Sequence, residues 1–190
     1  MNLSPQDVVV ALKLLAAGSR NWTYALLGEE LALSPSQVFR SVERAEAVRL
    51  LEPGFRTVPP PPAPGSKGQN CPVVLAWPNR ASLKEFLIHG VKYAFPVHRG
   101  GMVRGVPTAH AAPPLKQQFA ESFDPPPVWP DASGSARGLE FSPLYKNVPA
   151  AARRDPKLYE LLALVDAIRD GRAREREIAI RELTARVDER

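Results

Sequence analysis

The chain uses the same helix-start pattern, Leu-Ser-Pro, twice, thirty residues apart. Residues 3–8 read LSPQDV and residues 33–38 read LSPSQV. Serine is a favoured N-cap and proline suits the first helical position, so each copy can open a helix. In the second copy, Gln37 can also reach back to the backbone of Ser34 and complete a capping box. The sequence therefore predicts helices that begin at Pro5 and at Pro35.

A third, shorter helix is predicted between these two. Thr23 can cap a helix from Tyr24 to Leu31, which ends about three residues before the helix that starts at Pro35. Two helices joined this closely form a helix-turn-helix. Gly28 supplies the small residue needed where the two helices approach each other. Ala32 stands in the turn where many such motifs have glycine, which alanine tolerates if the turn stays near helical.

The second helix of this motif is predicted to present polar and basic side chains on its outer face, while Val38 and Val42 face the core. Glu43 and Glu46 are expected elsewhere on the helix. Short polar and long basic groups suit phosphates and base edges in a major groove. The predicted outer-face residues are Ser34, Ser36, Gln37, Arg40, Ser41 and Arg44.

Residues 24–46, YALLGEELALSPSQVFRSVERAE, resemble the winged helix-turn-helix transcription regulators of bacteria, and the likeness extends over about residues 3–58. The resemblance implies that the second helix enters the major groove and that a two-stranded wing follows. Leu50 and Leu51 would open the wing, and residues 73–77 would be its returning strand. Residues 59–68, rich in proline, replace a tight wing turn. The resemblance adds Arg56 and Lys67 as DNA-contacting residues.

The net charge of +5 is concentrated in the middle of the chain, where residues 61–130 carry seven basic and three acidic side chains. A basic balance makes an anionic partner such as nucleic acid plausible without defining a fold. The longest stretch without a charged residue has twelve residues, from Gly68 to Asn79. A membrane helix needs about 20 apolar residues, so no span is expected. The N-terminus lacks a signal-peptide pattern, which favours a cytoplasmic location.

The predicted fold class is α+β, in three parts. Residues 1–95 form the winged helix-turn-helix domain, which a helix over 81–89 and a strand over 91–95 would close. Residues 96–135 form a Pro/Gly-rich loop and connector, because 96–114 holds too many glycines and prolines for regular structure. Residues 136–190 add a short strand and a C-terminal helical hairpin.

The hairpin is predicted from an apolar stripe on its first helix, which Asp155 caps and Gly171 ends. The second helix runs from Ala173 to about Val187. This hairpin is the candidate interface of a homodimer, since one recognition helix reads too few base pairs for specificity. The stripe consists of Leu158, Leu161, Leu162, Val165 and Ile168.

Catalysis is disfavoured, and no cofactor or metal is expected. The single cysteine, Cys71, excludes a cysteine metal knuckle, and no nucleophile elbow, phosphate loop or His-Glu-x-x-His motif is present. His98, Arg99, Arg104 and His110 fall within thirteen residues, which allows an anion or metal site. An ordinary loop is favoured over that site, because no acidic residue lies between Glu85 and Glu121.

These features predict a sequence-specific DNA-binding transcription regulator, acting as a repressor on double-stranded DNA. One alternative is an antitoxin that neutralises a toxin of the nucleotidyltransferase type and represses its own operon. In that case residues 96–135 would cover the toxin, with Phe119, Phe123 and Trp129 as contacts. Those residues could equally wrap the chain's own core. The other alternative is a helix-turn-helix module that binds only protein.

Overall fold

The computed structural model describes residues 2–18, 21–54, 73–74, 76–119 and 124–189 and has a mixed α+β architecture, as predicted. The helices are α1 Pro5–Ala17, α2 Tyr24–Leu31, α3 Pro35–Ala47, α4 Arg80–Glu85, α5 Val91–Ala94, α6 Val148–Arg154, α7 Pro156–Asp170 and α8 Ala173–Asp188. The strands are β1 Trp22–Thr23, β2 Leu51–Pro53, β3 Val73–Val74, β4 Ala76–Pro78, β5 Arg99–Pro107, β6 Pro127–Pro130 and β7 Ala136–Phe141.

The three N-terminal helices begin and end where their capping residues predict. The backbone N–H of Ser4 donates to Asp7 Oδ2 over 2.8 Å at the start of α1. Gly18 follows the end of α1 with φ +62°, a conformation that glycine adopts without steric cost. Every residue of α1 from Gln6 to Leu15 is buried, so this helix has no solvent-facing side. It must therefore be surrounded by other elements.

Two short antiparallel pairs lie beside these helices. β2 pairs with β4, with Leu51 opposite Pro78, and β3 pairs with β1, with Trp22 opposite Val74. Strands were expected at Leu50–Leu51 and over 73–77, and the structure places β2, β3 and β4 there. The proline-rich segment 59–68 lies outside the described residues.

Residues 80–94 form a continuous helical run, so the strand expected over 91–95 is wrong. A π-helical turn, Phe86–Gly90, joins α4 to α5. Leu83, Leu87 and Val91 are fully buried and four residues apart. That spacing places them on one helical face, and burial of this face favours helix over the local alternation that suggested a strand.

The prediction that residues 96–114 lack regular structure is also wrong, because they contain the nine-residue strand β5. β5 pairs antiparallel with β6 and β7, and β6 pairs parallel with β7, so the three strands close on themselves. A Cβ on Gly138 would lie 1.9 Å from Pro126 O, and one on Gly105 would lie 2.0 Å from Trp129 O. Gly105, one of the glycines that suggested a loop, is thus required for close strand contact.

The C-terminal helices α7 and α8 form and pack on each other as predicted. Asp155 caps α7 by accepting from the N–H groups of Lys157 and Leu158 over 3.0 and 3.1 Å. Residues 161–169 are buried without interruption, because α7 also packs against α1, α5 and α6. The apolar stripe of α7 is therefore covered inside the molecule and is not exposed to a partner. A homodimer interface on the hairpin stays a prediction for its other surfaces.

The N-terminal and C-terminal helices share one continuous core. α1 packs on α7, and the buried Lys13 of α1 donates to Asp155 Oδ2 over 2.6 Å and also pairs with Glu30 of α2. On another side, Asn147 Nδ2 donates to Ala32 O over 2.5 Å. The helices of residues 1–95 are thus packed directly on the second half of the chain.

Candidate nucleic-acid interface

The orientation of α3 is fixed by the turn that precedes it. Ser34 Oγ accepts from Gln37 N over 3.2 Å, and Gln37 Oε1 accepts from Ser34 N over 2.9 Å, which completes the predicted capping box. Leu33 N donates to Gly28 O over 2.8 Å. A Cβ on Gly28 would lie 2.6 Å from Leu33 O, so glycine is required by the turn backbone more than by a helix crossing.

Ala32 adopts the left-handed conformation, with φ 53° and ψ 45°. The condition under which alanine would be tolerated here, a near-helical turn, is therefore not met. An L-residue is strained in this conformation by about 1–2 kcal/mol, which explains why glycine is usual at such positions. Its carbonyl is held by Asn147, so the turn is braced from the C-terminal half.

One side of α3 is packed against α1 and carries two residues that were expected to face outward. Val38, Val42 and Ala45 are buried there, as is Ser41, which has no exposed surface. Ser41 Oγ accepts a hydrogen bond from Gln6 Nε2 over 3.0 Å. Ser41 therefore ties α3 to α1 and is not available to a ligand.

Arg44 also turns toward α1. Its Nε and Nη2 donate to the two carboxylate oxygens of Asp7 over 2.8 and 2.6 Å. Asp7 is fully buried and Arg44 is 23% exposed. The hydrogen bond to Asp7 raises the pKa of the Arg44 guanidinium. Placing Ser41 and Arg44 on the outer face was wrong, because both side chains satisfy polar partners on α1.

The other predicted residues of α3 and its cap do lie on the exposed side, namely Ser34, Ser36, Gln37 and Arg40. Two residues that the sequence did not assign to this surface join them. Phe39 is 45% exposed and packs edge-on against Tyr24 with ring centroids 5.5 Å apart, and Glu43 is exposed three residues after Arg40. The expectation that Glu43 lies elsewhere on the helix is wrong, because helical spacing from Ser36 through Arg40 places Glu43 on this side.

Arg56 and Lys67, the two predicted wing contacts, lie outside the described residues. The nearest described wing element is the pair β2–β4, where Glu52 stands opposite Trp77. Trp77 is 46% exposed. An aromatic ring therefore stands at the base of the wing segment.

Three of the four side chains that could have formed an anion or metal site in residues 98–110 each contact a different partner. Arg99 Nε pairs with Asp170 over 2.6 Å, and His110 Nδ1 lies 3.5 Å from Glu175. Arg104 Nε donates to Gly134 O over 2.8 Å. Within the described ranges, no three His, Cys, Asp or Glu side chains are grouped so as to hold a metal ion.

The aromatic residues expected to contact a toxin partner have internal roles where they are described. Trp129 is fully buried, and its Nε1 donates to Asp166 Oδ2 over 2.6 Å, alongside Thr108 Oγ1 at 2.8 Å. Burial raises the pKa of the Asp166 carboxyl, and Arg169, which donates to its other oxygen over 2.7 Å, opposes that shift. This network fastens β5 and β6 to α7. A toxin partner stays a prediction.

Comparisons with family models, curated proteins and solved structures return no match to the chain. None of the helices in the described part of the chain combines the length and apolarity that crossing a membrane requires.

Proposed function

We propose that this chain is a sequence-specific DNA-binding transcription regulator, a repressor whose helix α3 enters the major groove. The observation that carries the proposal is the division of α3 into two sides. One side is fastened to α1 through Ser41 and Arg44, while the other presents Ser36, Gln37 and Arg40 to solvent. Such a helix is held rigidly while its polar face stays free for base edges.

The element order supports a winged helix-turn-helix as the scaffold. Three helices are followed by β2 and β4, which form an antiparallel pair, and β1 pairs with β3. In this interpretation, residues 54–75 lie between the two wing strands and include the predicted contacts Arg56 and Lys67.

Arg40 is the residue expected to read sequence. It is exposed, and an arginine donates two parallel hydrogen bonds to the O6 and N7 atoms of guanine. Gln37 is less free, because its Oε1 already accepts from Ser34 N and only its Nε2 remains for a base. Phe39 offers an apolar surface that suits a thymine methyl group.

The experiment is a selection of bound duplexes from a random library, followed by fluorescence anisotropy with the selected duplex. Arg40→Ala should weaken binding by about 1–3 kcal/mol and relax preference at one base position. Arg174→Ala, which removes an equally exposed arginine from α8, is the matched control and should bind like the wild type. Failure to enrich any sequence, or an Arg40→Ala variant with unchanged affinity and selectivity, would contradict the proposal.

We propose further that the protein binds its operator as a homodimer, with half-sites about 34 Å apart. Because the stripe of α7 is covered internally, the interface is expected on another surface. Light scattering of the protein with its selected duplex should give two chains per duplex. One chain per duplex, at protein concentrations well above the dissociation constant, would show that the operator is read by a monomer.

A further inference from the structure

A second basic surface lies on the antiparallel pair of β5 and β7, the β5–β7 ribbon. Arg104 and Arg137 are direct cross-strand partners in the antiparallel pair, and both are exposed. Like charges in this position repel each other and destabilise a sheet unless an anion lies between them. Among the residues that the structure describes, no carboxylate pairs with either arginine. The pair thus concentrates positive charge that its own surroundings leave uncompensated.

The side chain of Arg104 is held in place while part of it stays available. Its Nε donates to Gly134 O over 2.8 Å in the turn between β6 and β7. No acceptor in the described part of the chain bonds its two Nη groups. A guanidinium fixed at one edge, with its remaining donors exposed, suits a phosphate or carboxylate oxygen.

A chain of contacts connects this ribbon to the turn that precedes α3. Asp131, in the same turn as Gly134, pairs with Arg153 of α6. The next residue, Arg154, donates to Glu29 O near the end of α2 over 2.6 Å. At the other end of α6, Asn147 Nδ2 donates to Ala32 O. α6 therefore joins the end of the ribbon to the start of the proposed recognition helix.

The distance that α6 spans is short compared with one turn of a DNA duplex. α6 has seven residues, which at about 1.5 Å per residue span about 10 Å. One turn of B-DNA covers about 34 Å. The link through α6 is therefore shorter than one turn of a duplex.

The charge along this path is positive. Residues 127–154 carry four basic side chains and two acidic ones, and one of the acids, Asp131, is already paired with Arg153. Lys146 is exposed beside Asn147.

We propose that Arg104 and Arg137, with Lys146, form a second contact surface that binds the phosphate backbone of the duplex flanking the α3 site. This inference rests on the proposed DNA-binding function, and it assigns sequence-independent affinity to the C-terminal half.

The test compares salt dependence of binding to two labelled duplexes, one with the selected sequence and one with that sequence shuffled. The double variant Arg104→Ala/Arg137→Ala should weaken binding to both by the same factor, about tenfold or more. It should also lower the slope of log affinity against log salt by about 2. Arg104→Lys/Arg137→Lys keeps the charges and should keep most of the slope.

The matched control is Arg172→Ala/Arg174→Ala, which removes two exposed arginines near the start of α8. Its slope should stay at the wild-type value. Equal losses of DNA affinity in the two double-alanine variants would overturn the inference, as would no loss of affinity in Arg104→Ala/Arg137→Ala. Either result would leave the proposal for Arg40 and the α3 site intact. Loss of polyglutamate binding with unchanged DNA binding would assign the surface to an acidic protein and would also overturn it. If the wild-type chain bound neither duplex, the proposed DNA-binding function itself would be contradicted.

Discussion

Arg44 and Arg40 lie one helical turn apart on α3, yet they have different roles. Arg40 is exposed, whereas Arg44 neutralises a fully buried carboxylate at Asp7. Both are arginines on the same helix, four residues apart, so neither residue type nor helical spacing predicts the difference between them. The difference comes from α1, which places Asp7 and Gln6 beside only one side of α3.

Arg44→Ala should therefore lower stability rather than change DNA selectivity. Removing Arg44 leaves the buried Asp7 carboxylate without its cation, although the Ser4 N–H still donates to it, which costs about 3 kcal/mol. Urea unfolding followed by circular dichroism measures this loss. The control Arg40→Ala should change the free energy of unfolding by less than about 0.5 kcal/mol, as expected of an exposed side chain. Equal stability of the two variants would mean that the Asp7–Arg44 pair does not hold α3.

Ala32→Gly should stabilise the protein, because it relieves the left-handed alanine in the turn. The relief exceeds the entropy that glycine loses on folding, which leaves a gain of about 0.5–1 kcal/mol. For a chain of this size the melting temperature should rise by about 2–4 °C per kcal/mol. Ala25→Gly, at an exposed helical position of α2, is the control and should lower it. A decrease for both variants would contradict the strain at Ala32.

At the scale of elements, the sequence could predict the helix starts and the strands β2, β3, β4 and β7, whereas it missed β1, β5 and β6. Ser4, Thr23, Ser34 and Asp155 act on N–H groups a few residues away, so their pattern is visible in the sequence. β5 was missed because its partners in β6 and β7 lie more than twenty residues away. Gly105 of β5 is explained only by a partner strand that approaches within contact distance.

The difference between nearby and distant partners also decides which residues of the candidate site could be predicted. Ser36 and Arg40 could be placed by helical periodicity, and the structure finds them exposed. The inward orientation of Ser41 and Arg44 could not be predicted. A polar side chain faces inward only where a partner distant in the chain hydrogen-bonds to it. That partner is α1, more than thirty residues earlier in the chain.

Asp155 should give the junction between α1 and α7 a characteristic pH dependence. Burial raises the pKa of this carboxyl, but the hydrogen bond from Lys13 and the N–H groups of α7 outweigh it, so the pKa lies below 3.8. A carboxyl with a lowered pKa contributes stability that is present above pH 3.8 and lost as the pH falls through its folded-state value.

Asp155→Asn should thus destabilise the protein by about 1–3 kcal/mol at neutral pH. The difference from wild type should shrink as the pH is lowered below 3.8. Thermal unfolding across this range measures it. Asp188→Asn removes the exposed partner of Lys84 and should cost less than about 1 kcal/mol. A deficit for Asp155→Asn that stays constant with pH would show that the carboxylate charge does not contribute.

At the scale of the whole molecule, the proposed DNA-binding half depends on the other half. α1 is buried on all sides and packs on α7, and α6 braces the turn before α3. A fragment of residues 1–95 should therefore lack a cooperative thermal transition, because the surface of α1 that faces α7 would be exposed. Co-expression with residues 96–190 should restore a soluble complex. A fragment 1–95 that unfolds cooperatively by itself would contradict this account.

The most direct test of the account is amide NMR of the whole chain, titrated with its selected duplex. The backbone amides of Ser34 and of residues 36–40 should shift most, together with those of Arg104, Arg137 and Lys146, while α8 stays unchanged. This pattern would place the duplex along the exposed side of α3 and over the β5–β7 ribbon. Shifts that avoid α3, or that centre on α8, would contradict the proposal that α3 reads DNA.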